Sequence, residues 1–327
     1  MGKKILIYNS GGGLGDAIQL FPLILTLQNH FATSEFYYQD SLGAKYFSNE
    51  LKDYNIKIKN LNLNLKHFGF RWWHYFKAKS EFLKLKLDID KFDLIIDIQS
   101  KIRNTLILKK LPNNHFYSST FNYFFCSIKK KYSDYENVNQ RTISNLEKFY
   151  GTTINRINYN LELLNDKFIK ESIKLLPGKN YIGLSITHGN PYRKKHWPIN
   201  KFVELAVKLE KKGKKPIFFV EKSNNEIINK IKSIIPNAFF PEHASELASP
   251  ALVTALASRL EKAISIDNGV MHMISLAQIP MLVLFGPTKP EKFAPNQKNI
   301  HILDSKKLYN TKDISKITVE DILKHVF

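Results

Sequence analysis

A single cysteine, Cys126, stands in 327 residues, so the chain can form neither an intrachain disulfide framework nor a multi-cysteine zinc site. Long apolar runs are missing as well. The most apolar stretch, residues 271–285, is interrupted by Pro280 and falls short of the ~18 residues a membrane-spanning helix needs. At the start, Lys3 and Lys4 precede an apolar run of only residues 5–8 before Asn9, Ser10 and three glycines, which is too short for a signal-peptide core. The expectation is a soluble, cytoplasmic protein. No short-period repeat or low-complexity tract appears. Acidic residues are the scarcer charge: 29 Asp+Glu face 49 Lys+Arg, a formal net charge of +20. That excess points to an anionic partner, whether nucleic acid, an acidic membrane surface or a phosphorylated ligand, and composition does not choose among them. What is present in quantity is apolar matter. With 43% hydrophobic and 13% aromatic residues the chain can bury sizeable cores, and its length suits two domains.

Both halves read as repeated strand-then-helix units. Residues 4–8 (KILIY) are a short continuous apolar run, the signature of a parallel strand buried on both faces, and glycines and a helical pattern over residues 16–30 follow. Further strands are expected at residues 35–38, 56–58, 92–96 and 115–117. The pattern weakens over residues 161–180, where Pro177-Gly178-Lys179-Asn180 suits a domain linker. Alternation then restarts, with strands at 181–186, 215–220, 263–266 and 281–285 and helices at 199–212, 224–235, 250–259 and 270–277. This is the pattern of two doubly wound α/β units, whose ligands bind outside the carboxyl ends of the strands.

Four segments at such strand ends carry residues suited to chemistry. The first is Ser10-Gly11-Gly12-Gly13-Leu14-Gly15-Asp16. A dinucleotide there would bring its pyrophosphate against the carboxylate of Asp16, which repels it. Asp16 is therefore either a helix cap, worth about 1 kcal/mol, or a general base for a hydroxyl. The second runs from Thr187 through Arg193-Lys194-Lys195-His196-Trp197-Pro198, where hydroxyl, cations and a helix start converge as in an anion site; its bland alternative is a solvated basic loop. In the third, Asp267-Asn268-Gly269-Val270-Met271-His272, Asp267 can accept bonds from sugar hydroxyls while amides face an anion. His272 there reads as a core histidine or as phosphate or turn support. The fourth, Leu284-Phe285-Gly286-Pro287-Thr288-Lys289-Pro290, is a rigid turn presenting the hydroxyl of Thr288.

In order and spacing, Leu14-Gly15-Asp16, Lys195-His196-Trp197-Pro198, Asp267-Asn268-Gly269-Val270-Met271-His272 and Leu284-Phe285-Gly286-Pro287-Thr288-Lys289-Pro290 together resemble glycosyltransferase family 9, the ADP-heptose:lipopolysaccharide heptosyltransferases, over nearly the whole chain. The resemblance implies a GT-B fold, two Rossmann-like domains facing each other across a cleft. An acceptor-binding domain would span residues 1–165 and a nucleotide-sugar-binding domain residues 166–327, with the last helix free to pack back on the first. It further implies an inverting transfer, independent of metal or cofactor, of a sugar from a nucleotide diphosphate donor, ADP-heptose foremost, to a lipopolysaccharide core or related lipid-linked acceptor. By the same resemblance Asp16 is the base, beside the glycine turn of Gly12, Gly13 and Gly15. Lys195 and Thr187 bind the donor phosphates, Asp267, Asn268 and Gly269 hold sugar and diphosphate, and His272 and Thr288 complete the donor set. A lysine and a helix amino terminus would supply the stabilisation of the departing diphosphate that a metal gives in other transferases. One departure concerns the acidic residue that contacts the donor ribose: the segment after residues 215–220 has no glycine, and Glu221 or Glu226 can fill the role. Other readings are a different sugar-nucleotide enzyme, such as an epimerase, and a nucleic-acid-binding protein, for which only charge and interleaved aromatics speak.

The positive charge is concentrated. Residues 45–131 hold 18 Lys+Arg against 7 Asp+Glu, a local excess of 11. Within them residues 67–87 (HFGFRWWHYFKAKSEFLKLKL) space Phe68, Trp72, Tyr75, Phe76, Phe82 and Leu83 as on one helix face. Such a helix either packs on its own domain or rests on an anionic bilayer, with Arg71, Lys77, Lys84 and Lys86 outward. The expected partners are thus a nucleotide diphosphate sugar, an anionic glycolipid and the inner face of the cytoplasmic membrane, with no nucleic acid and the chain as a monomer.

Overall fold

The computed structural model describes residues 2–65, 67–187 and 195–326. The chain divides into two compact units, Met1–Tyr159 and Asn160–Phe327. In the first, strands β1 (Lys4–Asn9), β2 (Glu35–Asp40), β3 (Lys59–Asn60), β4 (Phe92–Asp97) and β5 (Asn113–Ser118) form one sheet in the order β3-β2-β1-β4-β5. Every pairing is parallel, with Ile7 beside Tyr38 on one side and Ile96 on the other. The central strand is buried on both faces, Ile5, Leu6 and Ile7 being wholly inaccessible, which is why the sequence there is a continuous apolar run. In the second unit β6 (Tyr181–Ser185), β7 (Lys215–Phe219), β8 (Lys262–Ile266), β9 (Met281–Phe285) and β10 (Ile300–Asp304) form an all-parallel sheet in the order β10-β9-β8-β6-β7. Parallel strands put all their carboxyl ends on one edge, so the loops after β6, β7, β8 and β9 meet there.

Several expectations are corrected. The helix expected over residues 16–30 is two helices, Leu14–Ile18 and Phe21–His30. Pro22, in the first turn of the second, lacks the N–H that would bond back to Ile18. The strand expected at 56–58 falls at Lys59–Asn60. The helix expected over 67–87 covers only His74–Lys84. Before it the chain turns at Gly69, whose φ is +80° and where a Cβ would overlap the Asn104 side chain, so no helix passes through. The weak stretch after residue 161 contains a helix, Asp166–Leu175, which packs on the buried helix Pro250–Ala257. The change of unit therefore precedes that helix, at Tyr159, rather than falling at 165 or at Pro177-Gly178-Lys179-Asn180. The last helix, Val319–Leu323, sets Val319 and Ile322 into the core of the second unit.

Candidate active site

At the carboxyl edge of the second sheet, side chains from four successive loops are joined by hydrogen bonds. The hydroxyl of Thr288, after β9, donates to Oδ2 of Asp267, after β8, at 2.7 Å. Lys195 forms an ion pair with the same carboxylate oxygen, and both side chains are 9% exposed. Asn268 donates through Nδ2 to the Ser185 hydroxyl at 2.8 Å and to the Thr187 carbonyl at 2.7 Å, both at the end of β6. Its Oδ1 accepts from the amide of Met271 at 2.7 Å and so caps the helix Gly269–Ser275. The hydroxyl of Thr187 in turn donates to Glu221, after β7, at 2.5 Å. A polar rail thus crosses four of the five strands in spatial order. Two residues on, Trp197 is anchored in the core, a buried ring that packs edge-on against Phe202 at 4.7 Å and donates from Nε1 to the Ile317 carbonyl at 2.9 Å.

In the first unit the glycine turn between β1 and the helix Leu14–Ile18 is built around Asp16. Its Oδ2 accepts from the amide of Gly13 at 3.1 Å, so the carboxylate at the third helical position reaches back to the N-cap amide and closes the first turn. The turn is held from both sides: the Tyr46 hydroxyl donates to the Gly12 carbonyl at 2.7 Å, and the Gly11 amide donates to Oδ1 of Asn9 at 3.0 Å. Gly15 is the second residue of the helix, its carbonyl accepting from Gln19 at 2.9 Å. A Cβ on Gly11 would stand 2.6 Å from the Asp16 carboxyl carbon, so a side chain there would displace the carboxylate. Among the described residues Oδ1 of Asp16 accepts no hydrogen bond, which leaves it open to a hydroxyl proton.

Comparison with known proteins shows the family of the chain that carries these two constellations. The family model described as glycosyltransferase family 9 (heptosyltransferase) matches residues 82–324. The chain belongs to glycosyltransferase family 9. Among curated relatives, a lipooligosaccharide heptosyltransferase 2 of Campylobacter jejuni is 22% identical over 303 residues, covering 88% of this chain and 85% of that protein. Among solved structures, a family 9 glycosyl transferase from Veillonella parvula superposes with a TM-score of 0.72 at 18% identity, covering 99% of this chain and 96% of the other. E. coli heptosyltransferase WaaC, solved with ADP, gives 0.69 at 16% identity, covering 99% and 98%. The shared fold is two parallel-sheet α/β units of the GT-B type.

Within this family 9 glycosyltransferase, most of the expected site residues fall at the strand ends. Thr187, Lys195, Glu221, Asp267, Asn268 and Thr288 share the rail of the second unit. Gly269 opens the helix Gly269–Ser275, and the ring of His272 is buried within it. Of the two candidate acids after β7, Glu221 reaches the rail; Glu226 lies exposed in the first turn of the helix Asn225–Lys232. Arg193 and Lys194 lie outside the described residues. Arg71, Lys77, Lys84 and Lys86 are all exposed, with Lys84 paired to Glu81 at 2.7 Å.

Three carboxyl groups near these constellations escaped the sequence reading. Asp40, at the end of β2, is wholly buried. Its Oδ1 accepts from the amides of Leu42 and Ala44 at 2.8 and 3.0 Å, and its Oδ2 has no partner among the described residues. Burial raises its pKa, and the Asp16 carboxylate adds to the rise. Asp97, at the end of β4, accepts from Thr105 at 2.6 Å, Ser118 at 2.8 Å and the Gln99 amide at 3.2 Å, and burial pushes its pKa up to about 7. Gln99 passes the connection on to Asn9 at 3.0 Å, so Asp97 braces the floor of the glycine turn. Glu242 follows the same logic beside Glu221: burial, then the neighbouring carboxylate, raise its pKa to about 8. An acid at the last position of a strand does not announce burial in the sequence, because its partners come from loops far away in the chain.

Proposed function

We propose that this glycosyltransferase moves a heptose from ADP-heptose to the core of a lipopolysaccharide or a related lipid-linked acceptor, with inversion and without a metal. The observation that carries this reading is the buried Lys195–Asp267 pair with Thr288 at the carboxyl edge of the second sheet. A cation kept ready there, next to the capped start of the helix Gly269–Ser275, suits a diphosphate; a carboxylate with an adjacent hydroxyl suits the hydroxyls of a sugar. Glu221, anchored by Thr187 and otherwise exposed, is placed to accept from a ribose hydroxyl.

In the transfer step Asp16 takes the proton of the acceptor hydroxyl through its open Oδ1. The acceptor oxygen forms its bond to the anomeric carbon on the face opposite the diphosphate. The bond from that carbon to the diphosphate oxygen breaks with its electron pair, and Lys195 and the helix amides meet the charge that develops on the leaving group. The curated Campylobacter jejuni relative is named for lipooligosaccharide heptosyl transfer, which supports both the sugar and the acceptor class. The test is a thermal-shift series with ADP-, GDP-, UDP- and dTDP-sugars on the full chain. A ligand at about 100 times its Kd stabilises the folded state by about 2.7 kcal/mol, so ADP-heptose should raise the melting temperature of the second unit. A shift produced by UDP- or GDP-sugars and absent with ADP-heptose would overturn the choice of donor.

A further inference from the structure

Every phenylalanine and tryptophan that the described residues leave exposed lies in two short stretches of the first unit: Phe70, Trp72, Trp73 and Phe76 in one, Phe121 and Phe124 in the other. Trp72 is 75% exposed and Phe76 70%, and their rings meet edge-on at 6.0 Å. The helix His74–Lys84 buries its opposite face, through His74, Ala78 and Phe82, so the outward rings are surplus to the core. The second pair sits on a strained turn. Phe121, Asn122 and Tyr123 all have left-handed φ, between 48° and 64°, which L-residues avoid. Tyr123 anchors the turn inward, its hydroxyl donating to the Ser133 carbonyl at 2.6 Å, while both phenylalanines face solvent. The two stretches are bridged by the helix Ile102–Leu108, which packs on the first helix and on the segment Thr120–Tyr123 and exposes Leu106.

Cations surround these rings. Lys110 stands 4.4 Å from the centre of the Tyr75 ring, Arg71 5.1 Å from that of Trp73 and Lys129 5.1 Å from that of Phe124, and Lys77, Lys79 and Arg103 are exposed on the same two helices. Residues 67–131 carry 13 Lys+Arg against 5 Asp+Glu. Apolar rings within a belt of positive charge match a surface that is apolar inside and anionic outside. We propose that this face of the first unit is a docking surface for an anionic lipid bilayer, with Phe70, Trp72, Phe76, Phe121 and Phe124 entering the acyl boundary and the lysines meeting lipid phosphates. The proposal deepens the reading that the acceptor is lipid-linked, since such docking brings the enzyme to the plane in which that acceptor lies.

The chain carries its own reporter. Of its three tryptophans, Trp72 and Trp73 lie on this surface and Trp197 is buried in the second unit. The full chain is titrated with mixed phosphatidylcholine–phosphatidylglycerol vesicles whose acyl chains are brominated, and tryptophan quenching is followed. Quenching is expected with the mixed vesicles, with at least tenfold more lipid needed when phosphatidylglycerol is left out. Phe76→Ser should raise the midpoint lipid concentration about tenfold or more, in keeping with the burial of one ring. Lys77→Gln with Lys86→Gln should raise it about fivefold per lysine. Phe121→Ser with Phe124→Ser provides an independent pair should Phe76→Ser fail to fold. Absence of quenching by the mixed vesicles overturns the proposal. So does a concentration-dependent dimer in sedimentation velocity that Phe76→Ser abolishes, which would assign the surface to a second copy of the chain. Transfer to a deacylated, water-soluble acceptor separates the two claims: its absence in the wild-type chain defeats the proposed function and leaves vesicle binding standing.

Discussion

Replacing Lys195 by Met tests whether the buried pair at the donor edge organises the second unit. The two side chains are equally buried, at 9% exposure, so the substitution strands the Asp267 carboxylate in a site where water does not replace the ammonium. Breaking a buried ion pair from one side costs about 3–5 kcal/mol. Asp267 keeps the hydroxyl of Thr288 at 2.7 Å, which places the expected loss at the lower end, about 3 kcal/mol. For a domain of this size 1 kcal/mol corresponds to roughly 2–4 °C, so calorimetry should show the transition of the second unit falling by about 6–12 °C. Lys195→Met combined with Asp267→Leu removes both charges and should recover most of that loss, because the penalty lies in the unpaired charge. Donor affinity behaves differently. The single variant lacks a charged bond to the diphosphate, worth about 1.5–3 kcal/mol, and should bind donor roughly 10- to 150-fold more weakly; the double variant, which also loses the Asp267 carboxylate, should bind it more weakly still. A single variant melting within about 2 °C of wild type, or a double variant as unstable as the single, would refute the reasoning.

Two further outcomes follow from the same geometry. Asp97 has its folded pKa raised to about 7 by burial, above the ordinary ~3.9 of the unfolded chain. The folded state therefore holds this proton more tightly, and the contribution of Asp97 to stability is greatest at low pH. That contribution should fall by about 1.4 kcal/mol per pH unit as pH rises between these two values, and in Asp97→Asn the pH slope in denaturant titrations of the first unit should shrink by that amount. Glu221→Ala removes an exposed carboxylate whose hydrogen-bond donor among the described residues is Thr187; donor KM should rise about tenfold with kcat little altered, at the ~1.5 kcal/mol of a single charged hydrogen bond, and an unchanged KM would remove Glu221 from nucleoside recognition.

Much of the architecture is legible in the sequence because buried parallel strands leave a strong signal. β1, β4, β6, β8 and β9 each appear as a short apolar run followed by a turn or cap; the segments that hold Asp16, Lys195, Asp267 and Thr288 can be picked out by their position after strands, while the choice of Lys195 within its basic run came from the family resemblance. Helices were harder where one residue overrides periodicity, as Pro22 does between two helices and Gly69 does ahead of His74. The helix Asp166–Leu175 was missed because its buried face is narrow, with Phe168 and the polar Ser172 as its buried residues, and that face finds its partner, the helix Pro250–Ala257, about eighty residues on. The bonds of the rail were not legible at all. Thr187 and Glu221 are 34 positions apart, and only the β6–β7 pairing brings their loops together. The burial of Asp40 and Asp97 likewise depends on which strands flank them, and no single strand's sequence encodes its neighbours.

The central claim is that Asp16 takes the acceptor proton, and Asp16→Asn examines it with the least disturbance. Asparagine can accept the Gly13 amide bond as the carboxylate does, so stability should change by less than about 1 kcal/mol. It cannot take a proton, so kcat, measured with saturating donor and acceptor, should drop by about 10²- to 10⁴-fold while the thermal shift produced by donor stays at its wild-type size. Turnover by Asp16→Asn at close to the wild-type rate would contradict the account.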